Sequence, residues 1–97
     1  MKVEMYTLDW FKNSFVQNLD KYVTEYRFFE EGDFGSLNQV IFNSTKMGGE
    51  VEFWSSGFMR IHLWDYENDK ELINILLEPS ENKEKESVFT KLAELLK

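Results

Sequence analysis

Polar and apolar residues alternate through residues 48–66, which read GGEVEFWSSGFMRIHLWDY. One alternating set is apolar and consists of Val51, Phe53, Met59, Ile61 and Leu63. The other set mixes acids, bases and aromatic residues, and consists of Glu50, Glu52, Trp54, Phe58, Arg60, His62 and Trp64. Because successive side chains of a β-strand point to opposite faces, the alternation predicts two strands with one face in a core.

A three-residue loop, Ser55-Ser56-Gly57, separates these two strands. Such a loop closes a hairpin when its glycine adopts the left-handed conformation. The resulting register pairs apolar residues with apolar ones and acids with bases: Trp54 with Phe58, Phe53 with Met59, Glu52 with Arg60, Val51 with Ile61, and Glu50 with His62. A register shifted by one residue would place Phe53 opposite Arg60, which the alternation excludes.

Strand-like patterns flank this hairpin on both sides. We predict strands at residues 26–29, 37–44, 49–54, 58–64 and 71–77, a short edge strand at residues 2–6, and loops at residues 30–35 and 65–70. On the core side, Val40 and Phe42 are expected opposite Phe53 and Val51, and Ile73, Ile75 and Leu77 opposite Leu63, Ile61 and Met59. These apolar residues are therefore predicted to share one buried face.

Apolar residues recur at helical spacing near both ends of the chain. Residues 7–24 are predicted to form an amphipathic helix capped by Asp9, with an apolar side made of Phe11, Phe15, Leu19, Tyr22 and Val23. After Pro79, Ser80 is predicted to cap a second helix with an apolar stripe of Val88, Phe89, Leu92, Leu95 and Leu96. We therefore predict a single α+β domain over residues 1–97, an antiparallel four- to five-stranded β-meander with an N-terminal and a C-terminal helix packed on one face.

The opposite face of the predicted sheet, called the outer face below, is neither plain solvent surface nor core. It consists of Gln39, Ile41, Asn43, Glu50, Glu52, Trp54, Phe58, Arg60, His62, Trp64, Leu72, Asn74 and Leu76. Mixed aromatic and charged residues are typical of protein-binding surfaces. The alternative is that the N-terminal segment, or a second copy of the chain, covers this face.

Charge narrows the choice of partners. The net charge is −7, from 18 acids against 11 bases, and residues 30–71 alone hold nine acids and three bases, which leaves −6 there. An acidic balance disfavours nucleic acid and anionic membranes as partners, whereas it suits docking to a basic protein. The absence of cysteine fits a reducing compartment, and residues 1–10 lack the apolar run of a signal peptide. We therefore expect a cytoplasmic protein.

No catalytic motif is recognisable in the sequence. His62 is the only histidine; Glu50 would orient its ring, but no activated nucleophile accompanies it, so a structural role is favoured. The segment DYENDKE, residues 65–71, leaves a calcium-binding loop open as an alternative, although it lacks the glycine and glutamate spacing of an EF-hand. We therefore predict a non-catalytic protein with no cofactor and no bound metal.

A small, acidic, cysteine-free chain with an aromatic and acidic face resembles the immunity proteins of bacterial toxin systems, such as those of contact-dependent growth inhibition. The resemblance is clearest in residues 48–66 and in the following ELINILLEP, residues 71–79. It implies a cytoplasmic inhibitor that binds and neutralises a cognate toxin domain, often a basic nuclease. No functional residue is carried over, because these families share no defining motif.

The docking residues are predicted from the chemistry of the side chains. Acids of the −6 segment would steer association, and aromatic residues would anchor the complex. The predicted partner-binding residues are Glu30, Glu31, Asp33, Glu50, Glu52, Trp54, Trp64, Asp65, Tyr66, Glu67 and Asp69. The alternative is a housekeeping interaction or structural module that forms a homodimer through the outer face.

Overall fold

The computed structural model describes residues 6–97, so the short strand predicted at residues 2–6 lies outside the described residues apart from Tyr6. The described residues form five antiparallel strands that are neighbours in chain order: β1 (Val23–Gly32), β2 (Gly35–Asn43), β3 (Met47–Trp54), β4 (Met59–Asp65) and β5 (Lys70–Leu77). A helical segment precedes the sheet, and the C-terminal helix α2 (Asn82–Leu95) follows it. The predicted α+β meander with a helix at each end is confirmed.

The register of the sheet agrees with the prediction in two of the three predicted strand pairs. Phe53 faces Met59 and Glu52 faces Arg60 across β3 and β4, and the loop glycine, Gly57, has a φ of 100°. The apolar partners of β4 and β5 are also the predicted ones, with Ile61 facing Ile75.

The predicted register between β2 and β3 is wrong by two residues. Val40 faces Val51 rather than Phe53, and Phe42 faces Gly49. The reason lies in the turn, where the Ser44 hydroxyl accepts hydrogen bonds from the backbone N–H groups of Lys46 and Met47, at 3.2 and 3.1 Å. This closure starts β3 at Met47, and a shift of two residues leaves every side chain on its predicted face.

The core lies between the sheet and the two helical segments. Of the ten residues predicted to share the buried face, all are buried except Ile75, which is half-buried and packs against the others. The helical segments contribute further buried residues, namely Phe11, Phe15, Leu19, Phe89, Leu92 and Leu96. The apolar alternation therefore identified the core correctly.

The N-terminal helix is shorter and less regular than predicted. It comprises α1 (Leu8–Trp10), a π-helical turn (Phe11–Phe15) and a 3₁₀ turn (Val16–Leu19). Thr7, and not Asp9, is the cap, because its hydroxyl accepts a hydrogen bond from Trp10 N at 3.3 Å. Val23 was expected beside the helix but begins β1 and is exposed, since the β-branched and aromatic sequence that follows pairs with β2.

Two loop and cap predictions also change. Residues 30–35 were expected to be a loop, but Glu30 and Glu31 belong to β1 and the turn consists of residues 33–34. Ser80 does not cap α2; Glu81 occupies that position without a capping hydrogen bond from its side chain. Its carboxylate instead accepts a hydrogen bond from Glu78 N at 2.9 Å. No helix within residues 6–97 is long and apolar enough to cross a membrane.

Candidate functional site: the outer face of the sheet

Two rows of side chains cross the middle of the outer face. Strand pairing places Ile41, Glu50, His62 and Asn74 in one row, and Gln39, Glu52, Arg60 and Leu76 in the next. The helical segments pack on the other side of the sheet, so these rows face away from the core. The middle of the outer face therefore carries two acidic, two basic and two amide side chains, all held on the strands of the sheet.

The two acids share one amide donor. The Gln39 side-chain nitrogen donates to Glu50 Oε2 at 3.2 Å and to Glu52 Oε2 at 3.0 Å. Glu52 is only 8% exposed, and its pKa is raised, first by burial and then by the charge of Glu50, against the opposing effects of Gln39 and Arg60. This trio is called the acidic centre below.

Arg60, the cation expected to pair with Glu52, makes its hydrogen bond to a different residue. Arg60 is the strand partner of Glu52, as predicted, but its guanidinium donates to the Asn74 side-chain oxygen at 3.3 Å. Among residues 6–97, Arg60 forms no ion pair with Glu52, whereas Arg27 pairs with Glu25. The acidic centre is thus held by a neutral amide and keeps its negative charge uncompensated by direct contact.

His62 has a different carboxylate partner from the one predicted. Glu50 lies opposite it in the register, but the ring nitrogen Nε2 lies 3.3 Å from Glu71 Oε2. A bulge between Leu63 and Trp64 places Trp64 opposite Glu71 and brings that acid to the outer face. Sequence reasoning missed Glu71 because a bulge is invisible in the alternation.

An aromatic cluster closes one end of the outer face. Phe34, in the turn between β1 and β2, stacks on Phe58 with ring centroids 4.0 Å apart and meets Trp54 edge-on at 5.2 Å. Trp54 is half-buried, and its Nε1 is buried without a hydrogen-bond partner. Phe34 was not predicted as a site residue; its signal was a large apolar side chain in an otherwise acidic, glycine-flanked turn.

Tyr66 organises the opposite end. It lies in the turn after β4 and is 46% exposed, and its hydroxyl donates to the Asn43 side-chain oxygen at the end of β2. To reach Asn43 it passes over Gly48, where a Cβ atom would collide with the tyrosine hydroxyl. Trp64, half-buried, is the strand partner of that same glycine. Two of the predicted aromatic anchors, Trp64 and Tyr66, therefore lie together.

The turn from Asp65 to Asp69 is shaped by its own acid. The Asp65 carboxylate accepts hydrogen bonds from the N–H of Glu67 at 3.0 Å, the N–H of Asn68 at 3.3 Å and the Asn68 side chain at 2.7 Å. The Asn68 side chain makes the largest contribution to lowering the pKa of Asp65. This acid, considered above for calcium, therefore acts as the acceptor that closes the turn. Within residues 6–97, no group of three metal-ligating side chains gathers.

The structure does not bring the predicted acids together. Glu30, Glu31 and Asp33 lie at the end that carries Phe34, while Asp65, Glu67 and Asp69 lie at the Tyr66 end. The nine residues of β2 run from one end to the other, a distance of roughly 30 Å at about 3.4 Å per residue. Glu50 and Glu52 lie between them. The candidate site is therefore a long face with an acidic centre and two separate acidic ends.

A cavity on the core side adds no chemistry to this face. It has a volume of about 270 Å³ and is lined in part by Tyr6, Asn38, Phe53 and Lys85. Burial lowers the pKa of Lys85, whose ammonium donates to the backbone oxygens of Gly57 at 2.8 Å and Pro79 at 3.3 Å. Lys85 thereby ties α2 to the turn between β3 and β4.

Comparison with known proteins found no match, so the functional proposal rests on the outer face. No protein-family model matches the chain, and no curated protein matches it either.

Proposed function

We propose that the protein is a non-catalytic immunity protein of the contact-dependent growth inhibition type, which binds and neutralises a cognate basic, nuclease-type toxin domain in the cytoplasm. The outer face is the docking surface. Support comes from its combination of half-buried aromatic residues with acids on a rigid sheet, a composition typical of protein-binding surfaces.

The acidic centre carries the proposal. Glu50 and Glu52 are held within hydrogen-bonding distance of one amide, and the nearest strand-paired cation, Arg60, is engaged with Asn74. A guanidinium or ammonium group of a basic partner would supply the missing positive charge. Charge-assisted hydrogen bonds to partly desolvated carboxylates are among the stronger polar contacts of an interface.

The aromatic residues have unequal roles in this proposal. Tyr66 is exposed and Trp64 is half-buried at the same end of the outer face, where a partner can bury them further. Trp54 is already covered in part by Phe34, so we assign it to shaping the surface together with Phe34 and Phe58. Aromatic residues that a partner desolvates contribute more binding energy than charges that stay in contact with solvent.

A homodimer through the outer face is the less favoured alternative. Packing two outer faces against each other would bring one acidic centre towards another, and no direct cation partner of Glu52 lies within residues 6–97 to separate them. Like charges placed together in an interface oppose association.

The proposal requires a toxin domain encoded next to the gene, and the test is protection of a cell against that domain. The wild-type chain should restore growth when co-expressed with that domain, and the double variant Glu50→Gln/Glu52→Gln should protect less and bind the purified toxin more weakly. The matched control is Glu86→Gln/Glu94→Gln, which removes two exposed acids of α2. Full protection by the acidic-centre variant, or no binding by the wild-type chain, would overturn the proposal.

A further inference from the structure

β1 is an edge strand with an unusually apolar surface. Among residues 6–97 it pairs with β2 alone. Six large apolar residues are exposed in this part of the chain, and four of them lie on β1: Val23 (79%), Tyr26 (42%), Phe28 (60%) and Phe29 (43%). A long, apolar edge strand offers unpaired backbone N–H and C=O groups and readily accepts another strand.

The available part of this edge is sharply limited. The ladder between β1 and β2 is regular from Val23 to Phe29 and shifts register between Phe29 and Gly32. Glu30 and Glu31 follow at once and are exposed. Bulges and charges are the devices by which proteins prevent edge pairing, so they confine any added strand to the seven residues 23–29.

We propose that two copies of the chain join edge to edge through residues 23–29, antiparallel and with Tyr26 opposite the Tyr26 of the second copy. This register places Arg27 opposite Glu25 of the second copy, and Glu25 opposite its Arg27. On the same face, Phe29 meets Val23, and on the other face Phe28 meets Thr24. Every charge then faces its opposite, and every exposed apolar residue of β1 gains a partner.

The two neighbouring registers of this strand pair are unfavourable, because each places like charges opposite one another. Centring the pairing one residue earlier sets Glu25 against Glu25 and Arg27 against Val23. Centring it one residue later sets Arg27 against Arg27 and Glu25 against Phe29. Like charges directly opposite each other destabilise a strand pair, whereas opposite charges and aromatic pairs stabilise it. The segment is therefore self-complementary about Tyr26, as an interface with two-fold symmetry requires.

The dimer keeps the outer face free. A two-fold axis perpendicular to the sheet leaves the outer faces of both copies on the same side of one ten-stranded sheet. The inference rests on β1 and not on toxin binding, so either proposal can fail without the other.

Sedimentation equilibrium gives the first test. The purified chain should have about twice the 11.6 kDa mass of one copy. Arg27→Glu and Glu25→Arg should each weaken the dimer about tenfold, because each places like charges opposite one another at two symmetric positions. Mixing these two variants should restore a heterodimer, since each like-charge pair becomes an opposite pair. Lys91→Glu and Glu94→Arg, exposed on α2, are the matched controls and should leave the mass unchanged.

Disulfide trapping then fixes the register, because the natural chain contains no cysteine. Tyr26→Cys should form a covalent dimer on mild oxidation. Val23→Cys and Phe29→Cys should not cross-link alone, because each lies about 20 Å from its own counterpart at about 3.4 Å per residue, but should cross-link when mixed. A monomeric wild-type chain at high micromolar concentration, a dimer insensitive to both charge reversals, or cross-linking of Val23→Cys alone would overturn the proposal.

Discussion

Phe34 stacks on Phe58 with their ring planes only 11° from parallel, although one residue lies in the turn between β1 and β2 and the other precedes β4. The contact folds an acidic turn over the end of the outer face and covers Trp54. It therefore links the position of Asp33, one of the proposed steering acids, to the aromatic surface beside it.

Removing this stacked ring should loosen the turn. We expect Phe34→Ala to lower the free energy of unfolding by about 1–2 kcal/mol, since a half-buried aromatic ring and its aromatic contacts are lost. Tryptophan emission should shift to longer wavelength as Trp54 becomes solvated. Leu76→Ala, at an exposed apolar residue of β5, is the control and should change neither quantity appreciably. An unchanged emission spectrum for Phe34→Ala would mean that the ring does not cover Trp54.

A second prediction concerns Gly48 and Tyr66. Gly48→Ala should cost about 1–3 kcal/mol of stability, because the added methyl group collides with the tyrosine hydroxyl that reaches Asn43. In a Tyr66→Ala background the same substitution should cost less, since part of the obstacle is gone. A double-mutant cycle measured by urea denaturation gives this coupling. Strictly additive costs would show that Tyr66 does not lie over Gly48 in solution.

The alternation of polar and apolar residues predicted which side chains lie on the core side and which on the outer face of the sheet. It did not predict every strand register or the contacts between side chains. Large apolar side chains at every second residue identify the face of each strand that enters the core. The register of β3 with β4 follows from matching Phe53 to Met59. A slip of two residues preserves the faces, so the β2–β3 register depended on the Ser44 turn, which alternation does not report.

Side-chain partners on the outer face were harder to predict for the same physical reason. Strand pairing placed Arg60 opposite Glu52, but a long side chain can choose among several acceptors, and it donates to Asn74. His62 pairs with Glu71 because of a bulge. Phe34 was not predicted as a site residue, because residues in turns do not follow the alternation of polar and apolar side chains.

The raised pKa of Glu52 predicts a pH-dependent stability difference. Burial and the neighbouring Glu50 make the charged form unfavourable in the folded protein. Above the folded-state pKa this lowers stability, and the penalty disappears as the pH falls through that pKa and the carboxyl protonates. Glu52→Gln should therefore gain stability relative to wild type at neutral pH and lose that gain on acidification. Chemical denaturation of both proteins across this range measures the difference, with Glu86→Gln as the exposed control; a gain that persists in acid would contradict the assignment.

Lys85 offers a test of how α2 is anchored. Lys85→Met keeps the length of the apolar stem but leaves the Gly57 and Pro79 carbonyls without their donor. We expect a loss of about 1–3 kcal/mol in the free energy of unfolding, the usual contribution of hydrogen bonds made by a charged group. The exposed Lys91→Met is the control. Equal stabilities of the two variants would show that the stem, and not the ammonium group, makes the contribution.

The last prediction concerns the rate at which the protein associates with the proposed toxin. It follows from the separation of the two acidic ends of the outer face. A partner that covers the acidic centre and also buries Tyr66 and Trp64 lies closer to the Tyr66 end than to the Phe34 end. The two ends are roughly 30 Å apart along β2, well beyond the roughly 10 Å Debye length at 0.1 M salt. Reversing the charges of Asp65, Glu67 and Asp69 should therefore slow association more than reversing those of Glu30, Glu31 and Asp33. The stronger variant should slow association several-fold at low salt and less at high salt.

The dissociation rate should respond to the aromatic residues instead. Tyr66→Ala or Trp64→Ala should speed dissociation with little effect on association, because a ring buried in the complex acts after the encounter. Stopped-flow or surface-based kinetics at two salt concentrations separates the two effects, and the Glu86→Gln/Glu94→Gln variant on α2 serves as the control. Equal slowing by both sets of acid reversals at every salt concentration would contradict a partner seated over the acidic centre and the Tyr66 end, because the two acid sets would then act only through the net charge of the protein.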